Sequence, residues 1–347
     1  MLAVVYHGPK DLRVEEVPLP EIGPGELLVR VKGAGICGTD LRIYHGGHRK
    51  YPPGSVRIPG HEAAGTIAAT GPGVSGYTER QAVFIAPNMG CGHCRECITG
   101  NNNRCPNYQA IGVTLDGAFA EYLRVPAAAV SQGNVIPLEI GVDPASAALI
   151  EPFACVLRGQ RALGLRPGDT TLVMGAGPIG LMHARLARVS GAAKVIVSEP
   201  APDRLAQAAS MGVDRAVNPE QEDLAQAVAE ETGGNGVDVV IVAAPSPKAQ
   251  EDALHLAGIG GRINFFGGLP KDRPTIQFDT NLVHYKELIV TATTACSTAD
   301  CRRAAEIVNA GLVDLSSLVS RRFILSEALA AFAAAESGRE LKVVLEP

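Results

Sequence analysis

The chain has 347 residues, with 31 lysines and arginines against 36 aspartates and glutamates, a formal net charge of −5. That balance gives no basic footprint for nucleic acid, and no apolar run reaches the roughly 18 residues that a membrane helix needs. The length allows two domains with separate cores, whose partners are small molecules or further copies of the chain.

The N-terminal run Met1-Leu2-Ala3-Val4-Val5-Tyr6-His7 lacks a basic segment leading into an apolar stretch and cleavage site, so a cytoplasmic location is expected. Short apolar runs follow, cut by glycine and proline. They predict strands at 2–6, 27–33, 63–70, 81–85 and 118–125, with turns such as Gly23-Pro24-Gly25 and Gly71-Pro72-Gly73 between them. A mostly antiparallel β domain over residues 1–150 is the expectation.

That domain carries two sets of metal-ligand residues. Cys37 lies in Gly35-Ile36-Cys37-Gly38-Thr39-Asp40, and His61 and Glu62 lie in Pro59-Gly60-His61-Glu62. Thiolate, imidazole and carboxylate suit Zn²⁺, and three protein ligands leave a fourth position open. Further on, Cys91, Cys94, Cys97 and Cys105 have the spacing C-x2-C-x2-C-x7-C. Four thiolates converging on one ion form a closed, structural zinc site; cysteines this close would make strained disulfide loops. Two Zn²⁺ per chain are therefore expected. Cys155, Cys296 and Cys301 are scattered singly, as ordinary buried thiols are.

From about residue 143 the pattern becomes βα alternation. Strands are predicted at 171–175, 194–198, 237–243 and 262–266, and helices at 178–190, 202–211, 224–232 and 247–256. Such alternation implies a doubly wound parallel sheet over residues 151–284. The run Gly175-Ala176-Gly177-Pro178-Ile179-Gly180 follows a strand and opens a helix, the setting in which a glycine-rich turn cradles a dinucleotide pyrophosphate. Glu199 ends the next strand, where a carboxylate can accept hydrogen bonds from both ribose hydroxyls and repel a 2′-phosphate, which favours NAD over NADP. Arg204 complicates that choice, since a nearby arginine can receive a phosphate. The tail 285–347, with a strand at 288–294, a helix from Thr298 and a strand at 341–345, is too small to stand alone and is expected to complete the first domain.

Taken in order, GICGTD, PGHE, CGHCRECITGNNNRC and GAGPIG resemble the zinc-dependent medium-chain dehydrogenase family, and closely its sorbitol and threonine dehydrogenase branch. The resemblance spans essentially the whole chain. It implies an α/β fold, with a GroES-like β-rich catalytic domain plus a Rossmann domain, and a homo-oligomer, tetramer in preference to dimer. By likeness, Cys37, His61 and Glu62 match the catalytic-zinc ligands. Glu151, in Ile150-Glu151-Pro152, matches a glutamate of this branch that binds zinc directly or through water; a helix-start carboxylate is its plain alternative. The implied reaction is oxidation of a secondary alcohol, a polyol or sugar, by zinc-assisted alkoxide formation and hydride transfer to NAD. Threonine 3-dehydrogenase activity is the alternative within the class, and a redox-silent zinc scaffold the rival outside it.

Thr39 matches the hydroxyl that begins the family's proton relay. Many relatives have histidine five residues past the cysteine; here that position is Arg42, which does not accept a proton at neutral pH. The outlet is then cofactor ribose and water, or His45. Arg204 resembles an arginine that packs along the adenosine. An Arg-Tyr pair that mammalian sorbitol dehydrogenases carry near Thr293-Thr294 is missing.

Overall fold

The computed structural model describes all 347 residues, Met1–Pro347, and divides into two compact units, Met1–Ala154 with Cys296–Pro347, and Cys155–Ala295. The first unit is built on a seven-stranded sheet. In spatial order it runs Val319–Ile324, Lys342–Glu346, Leu27–Gly35, Glu62–Thr70, Ala82–Ile85 and Val135–Pro137, with Tyr122–Val125 also pairing to Leu27–Gly35. Every pairing is antiparallel except that of Val319–Ile324 with Lys342–Glu346. A hairpin, Leu2–Gly8 with Asp11–Glu16, lies beside it, and Val29, Val31, Ile67, Val83, Phe119, Leu123, Val343 and Leu345 share one buried core.

One register detail sets up the chemistry. Gly35 pairs with Glu62 on one side and Val344 on the other, so the ends of three strands meet where Cys37, Glu62 and Lys342 are carried. Beyond Gly35 the chain turns into the helix Gly38–Tyr44, with Cys37 as its N-cap. The helix forms because the Asp40 carboxylate accepts the Cys37 N–H at 2.9 Å, satisfying one of the donors a helix start exposes.

The second unit is a six-stranded, wholly parallel sheet in the order Arg215–Val217, Lys194–Ser198, Thr170–Met174, Val237–Val242, Ala257–Phe265 and Ile289–Thr291. Numbered along the chain that is 3-2-1-4-5-6, the doubly wound Rossmann order, whose strand direction of growth reverses beside Thr170–Met174. The central strands are buried almost end to end, as strands of a parallel sheet covered on both faces are.

Two boundaries differ from expectation. The strand predicted at 262–266 begins at Ala257, and Ile289–Thr291 belongs to the parallel sheet, with Arg262 opposite Ile289 and Asn264 opposite Thr291. That pairing holds the chain in the second unit to Ala295, so the return falls at Cys296, eleven residues past the expected 285. At the other end, the change of unit falls at Ala154, inside the helix Ile150–Leu163, where residue 150 was expected.

Candidate metal centres and nucleotide site

The first centre lies at the strand ends described above. Ligand atoms of Cys37, His61 and Glu62 fall within 4.8 Å of one another; His61 is 7% exposed and Glu62 fully buried. Asp40, recruited as a helix cap, turns its other oxygen toward His61, with Oδ1 3.4 Å from Nδ1. Neither atom has a hydrogen-bond partner at that separation, so Asp40 acts on the ring through its charge. Burial opposes a charged His61, but Asp40 and Cys37 outweigh it and hold its pKa well above the usual histidine value. Glu62 Oε1 accepts from Lys342 Nζ at 2.5 Å, while its buried Oε2 has no partner. An unsatisfied carboxylate oxygen in a thiol–imidazole–carboxylate set is what a bound cation would satisfy, so these residues fit a zinc ion.

Glu151 is not part of this tight trio. It sits in the first turn of the helix Ile150–Leu163, buried, with Oε1 3.4 Å from the Cys296 thiol. Burial, reinforced by the charge of Glu62 and opposed by His61, raises its pKa, which places it within electrostatic reach of the trio.

Thr39 is half-buried in the first turn of the helix Gly38–Tyr44, and Arg42 is exposed on its last. His45, the alternative outlet, lies at the surface with Nε2 2.6 Å from Glu336 Oε1. His48 is half-buried, and burial followed by the charges of Arg42, Arg49 and His61 lowers its pKa.

The second centre is the four-cysteine lobe. All four sulfurs fall within 4.8 Å of one another, with Cys94 3.5 Å from Cys97 and 3.8 Å from Cys105. Four thiolates at ~2.3 Å from one ion stand ~3.8 Å apart, so the lobe is dimensioned for zinc. The N–H groups of His93 and Cys94 bring the Cys91 thiol down to about 6, and the Cys91 N–H itself points at Cys105 Sγ, 3.3 Å away. Gly90 is sterically required, because a Cβ there would stand 2.3 Å from Cys97 Sγ.

In the second unit, Gly175 adopts φ +109, and a Cβ on Gly180 would stand 1.8 Å from the Gly175 carbonyl oxygen, so turn and helix can meet only through glycine. Gly177 is the N-cap of Pro178–Val189 and offers no side-chain cap, and a Cβ on it would meet nothing within 4 Å. The first N–H groups of the helix are left without a side-chain cap, as in a helix start that receives an anion. Glu199 is at the end of its strand as expected, but its carboxylate is already engaged: Oε2 accepts from Ala176 N–H at 2.7 Å and Oε1 from Ala201 N–H at 3.0 Å. Each oxygen keeps a second lone pair for a ribose hydroxyl. Arg204 lies in the helix Pro202–Ser210, half-buried.

Comparison with known proteins agrees with the two-unit fold. Residues 23–137 match the alcohol dehydrogenase GroES-like domain, and residues 178–310 match the zinc-binding dehydrogenase domain. Sorbitol dehydrogenase of Halalkalibacterium halodurans is 32% identical over 352 residues, covering 100% of this chain and 98% of that protein. L-threonine 3-dehydrogenase of Pyrococcus furiosus is 38% identical over 299 residues, covering 84% and 82%. Among solved structures, a proposed zinc-binding dehydrogenase from Sinorhizobium meliloti 1021 bound to NADP superposes with a TM-score of 0.92 at 33% identity, covering 100% and 99%. The chain belongs to the zinc-dependent medium-chain dehydrogenase family, with a GroES-like domain and a Rossmann domain. Its class of reaction is dehydrogenation of an alcohol with a nicotinamide dinucleotide.

Reading the sequence missed three contributors. Asp40 had a signal, since an aspartate three residues past an N-cap is the capping-box position. Lys342 and Cys296 had none, because only the fold brings them to Glu62 and Glu151.

Proposed function

We propose that the protein oxidises a polyol, sugar or similar secondary alcohol with NAD, using one catalytic and one structural zinc per chain. The observation that carries the reading is the buried Cys37–His61–Glu62 set with an unsatisfied carboxylate oxygen. A zinc ion held there supplies Lewis acidity, lowering the pKa of an alcohol oxygen and stabilising its developing charge. The chain's own residues do the rest. Asp40 acts on the His61 ring through its charge, Lys342 balances Glu62, and Glu151 serves the metal directly or through water. Thr39 passes the hydroxyl proton outward as the carbon gives its hydride to the nicotinamide, so that alcohol plus NAD⁺ becomes carbonyl, NADH and a proton. Gly175, Gly177, Pro178, Ile179 and Gly180 hold the pyrophosphate; Glu199 receives the ribose, and Arg204 packs along the adenosine.

A polyol or sugar is supported by the matches to sorbitol dehydrogenase along the entire chain and to L-galactonate-5-dehydrogenase over 93% of it. Threonine is the second reading, supported by L-threonine 3-dehydrogenases of higher identity, that of Chelativorans along the entire chain. A panel of polyols, aldoses, L-threonine and short diols, scored by NADH absorbance, separates them; turnover of threonine alone overturns the polyol reading. A redox-silent scaffold would turn over none. The domain plan of 1–150 with 285–347, and 151–284, is retained with the two boundary shifts described above. A homotetramer is inferred from the branch, and a cytoplasmic location from cysteines gathered in metal-ligand sets.

A further inference from the structure

Beside Glu151 lies a pair of thiols that are far from obvious in the sequence. Cys296 is fully buried and Cys301 is 1% exposed, with Sγ atoms 3.5 Å apart. Cys296 directly precedes Ser297, the N-cap of the helix Thr298–Asn309. Its thiol reaches Oε1 of Glu151 at 3.4 Å and the Glu151 carbonyl oxygen at 3.8 Å. The backbone of Cys296 is itself pinned: Asn88 Nδ2 donates to its carbonyl at 2.8 Å. Asn88 is fixed in turn, its carbonyl accepting from Asn134 at 2.7 Å and from Asn102 at 2.9 Å, and Asn102 also accepts the N–H of Thr298 at 3.0 Å.

A glutamate's terminal torsion is broad and nearly two-fold, so burial alone does not decide which way its oxygens point. A donor held on a rigid backbone does. We propose that Cys296 is a positioning residue for Glu151, its S–H donating to Oε1 and aiming the other carboxylate oxygen at the metal bound by Cys37, His61 and Glu62. This rests on the reading of Glu151 as a group serving that metal. Outer-shell hydrogen bonds of this kind typically carry about 10- to 100-fold in metal affinity.

The test uses full-length protein carrying Cys296→Ala, Cys296→Ser, Glu151→Ala, or Cys296→Ala with Glu151→Ala. Two readouts are compared: the rate at which the first zinc ion passes to a chelator, and the visible d–d absorption of the Co²⁺-exchanged protein. Cys296→Ala is expected to speed metal release about tenfold or more, and to move the Co²⁺ bands toward those of Glu151→Ala. Cys296→Ser, which keeps a donor, is expected to restore both, and the double variant to be no worse than Glu151→Ala alone. Wild-type release and bands in Cys296→Ala, alongside altered ones in Glu151→Ala, overturn the positioning role and leave Glu151 at the metal. Wild-type behaviour of Glu151→Ala removes Glu151 from the metal and the proposal with it. A Cys296→Ser variant no better than Cys296→Ala also overturns it, since packing and not the donor would then be at work.

Discussion

The Nζ of Lys342 stands 2.5 Å from Oε1 of Glu62, and both side chains are buried. The same ammonium donates to the carbonyl of Ile36 at 3.0 Å, so the last strand of the chain is tied to the residue before Cys37. Burial works against the lysine's charge, yet Glu62 and Cys37 outweigh it and raise its pKa. Lys342→Met, similar in length but uncharged, strands the Glu62 carboxylate. It is expected to cost about 3–5 kcal/mol, as breaking a buried pair does, while Lys342→Arg retains more of it. Urea unfolding checks this, and a Lys342→Met midpoint equal to wild type would show that the pair contributes nothing.

The two metal centres should fail differently. Cys37→Ser or His61→Ala removes a ligand of the open site, and loss of metal stabilisation worth several kcal/mol of barrier should leave under about a tenth of the activity, with the fold intact. Cys94→Ser or Cys97→Ser opens the lobe, whose metal-binding energy is local folding energy, so Tm and quaternary state should fall before chemistry does. Zinc analysis with thermal melts decides it: two ions per wild-type chain, and a lobe variant with one ion and an unchanged Tm would refute the structural role.

His183 gives a pH dependence with a definite sign. It is fully buried on the helix Pro178–Val189, its ring 4.7 Å from that of Phe266, and burial pushes its pKa down to about 3. Unfolded, it titrates near 6.5, so between about 6.5 and 3 the unfolded chain binds the extra proton. The stability linked to neutral His183 is complete above 6.5 and drains away as pH falls, by at most about 1.4 kcal/mol per pH unit. His183→Phe should therefore have a flatter profile of urea midpoint between pH 7 and 5 than wild type; parallel profiles would contradict it.

What the sequence made legible was local. Lys194–Ser198, Leu224–Thr232 and Pro247–Leu256 match expectation residue for residue, because Asp223 and Ser246 cap the helices and Gly233 ends the first in a left-handed turn. The four cysteines lie within fifteen residues, so spacing alone brought them together. The short helix Gly38–Tyr44 was hidden by glycine in its first position, which reads as a turn. Lys342 and Glu62 are 280 residues apart, and Cys296 and Glu151 are 145 apart. Such pairs follow from strand order and register, which periodicity does not encode.

Cofactor choice turns on Glu199. Its oxygens accept from the N–H groups of Ala176 and Ala201, which holds the carboxylate at the strand end, where a ribose is received and a 2′-phosphate would be repelled. Wild type is expected to prefer NAD over NADP by kcat/KM, and Glu199→Gln to narrow that preference while keeping one loop contact. Equal use of NADP by wild type would overturn the expectation and shift weight to Arg204.

The proton's exit is carried by a short stretch of the chain. Thr39 and Arg42 share the helix Gly38–Tyr44, and Arg42 stays protonated at neutral pH. Thr39→Val keeps nearly the same volume and removes only the hydroxyl. If Thr39 carries the substrate proton, alcohol oxidation should fall by the roughly 10²- to 10⁴-fold that a positioned transfer is worth, with NAD binding unchanged. His45 is tied to Glu336 at the surface, so His45→Gln, like Arg42→Gln, is expected to leave the profile of kcat against pH close to wild type. Cofactor ribose and water are then the outlet. Wild-type oxidation rates in Thr39→Val would eliminate the hydroxyl step, and a shifted profile in His45→Gln would return the outlet to that histidine.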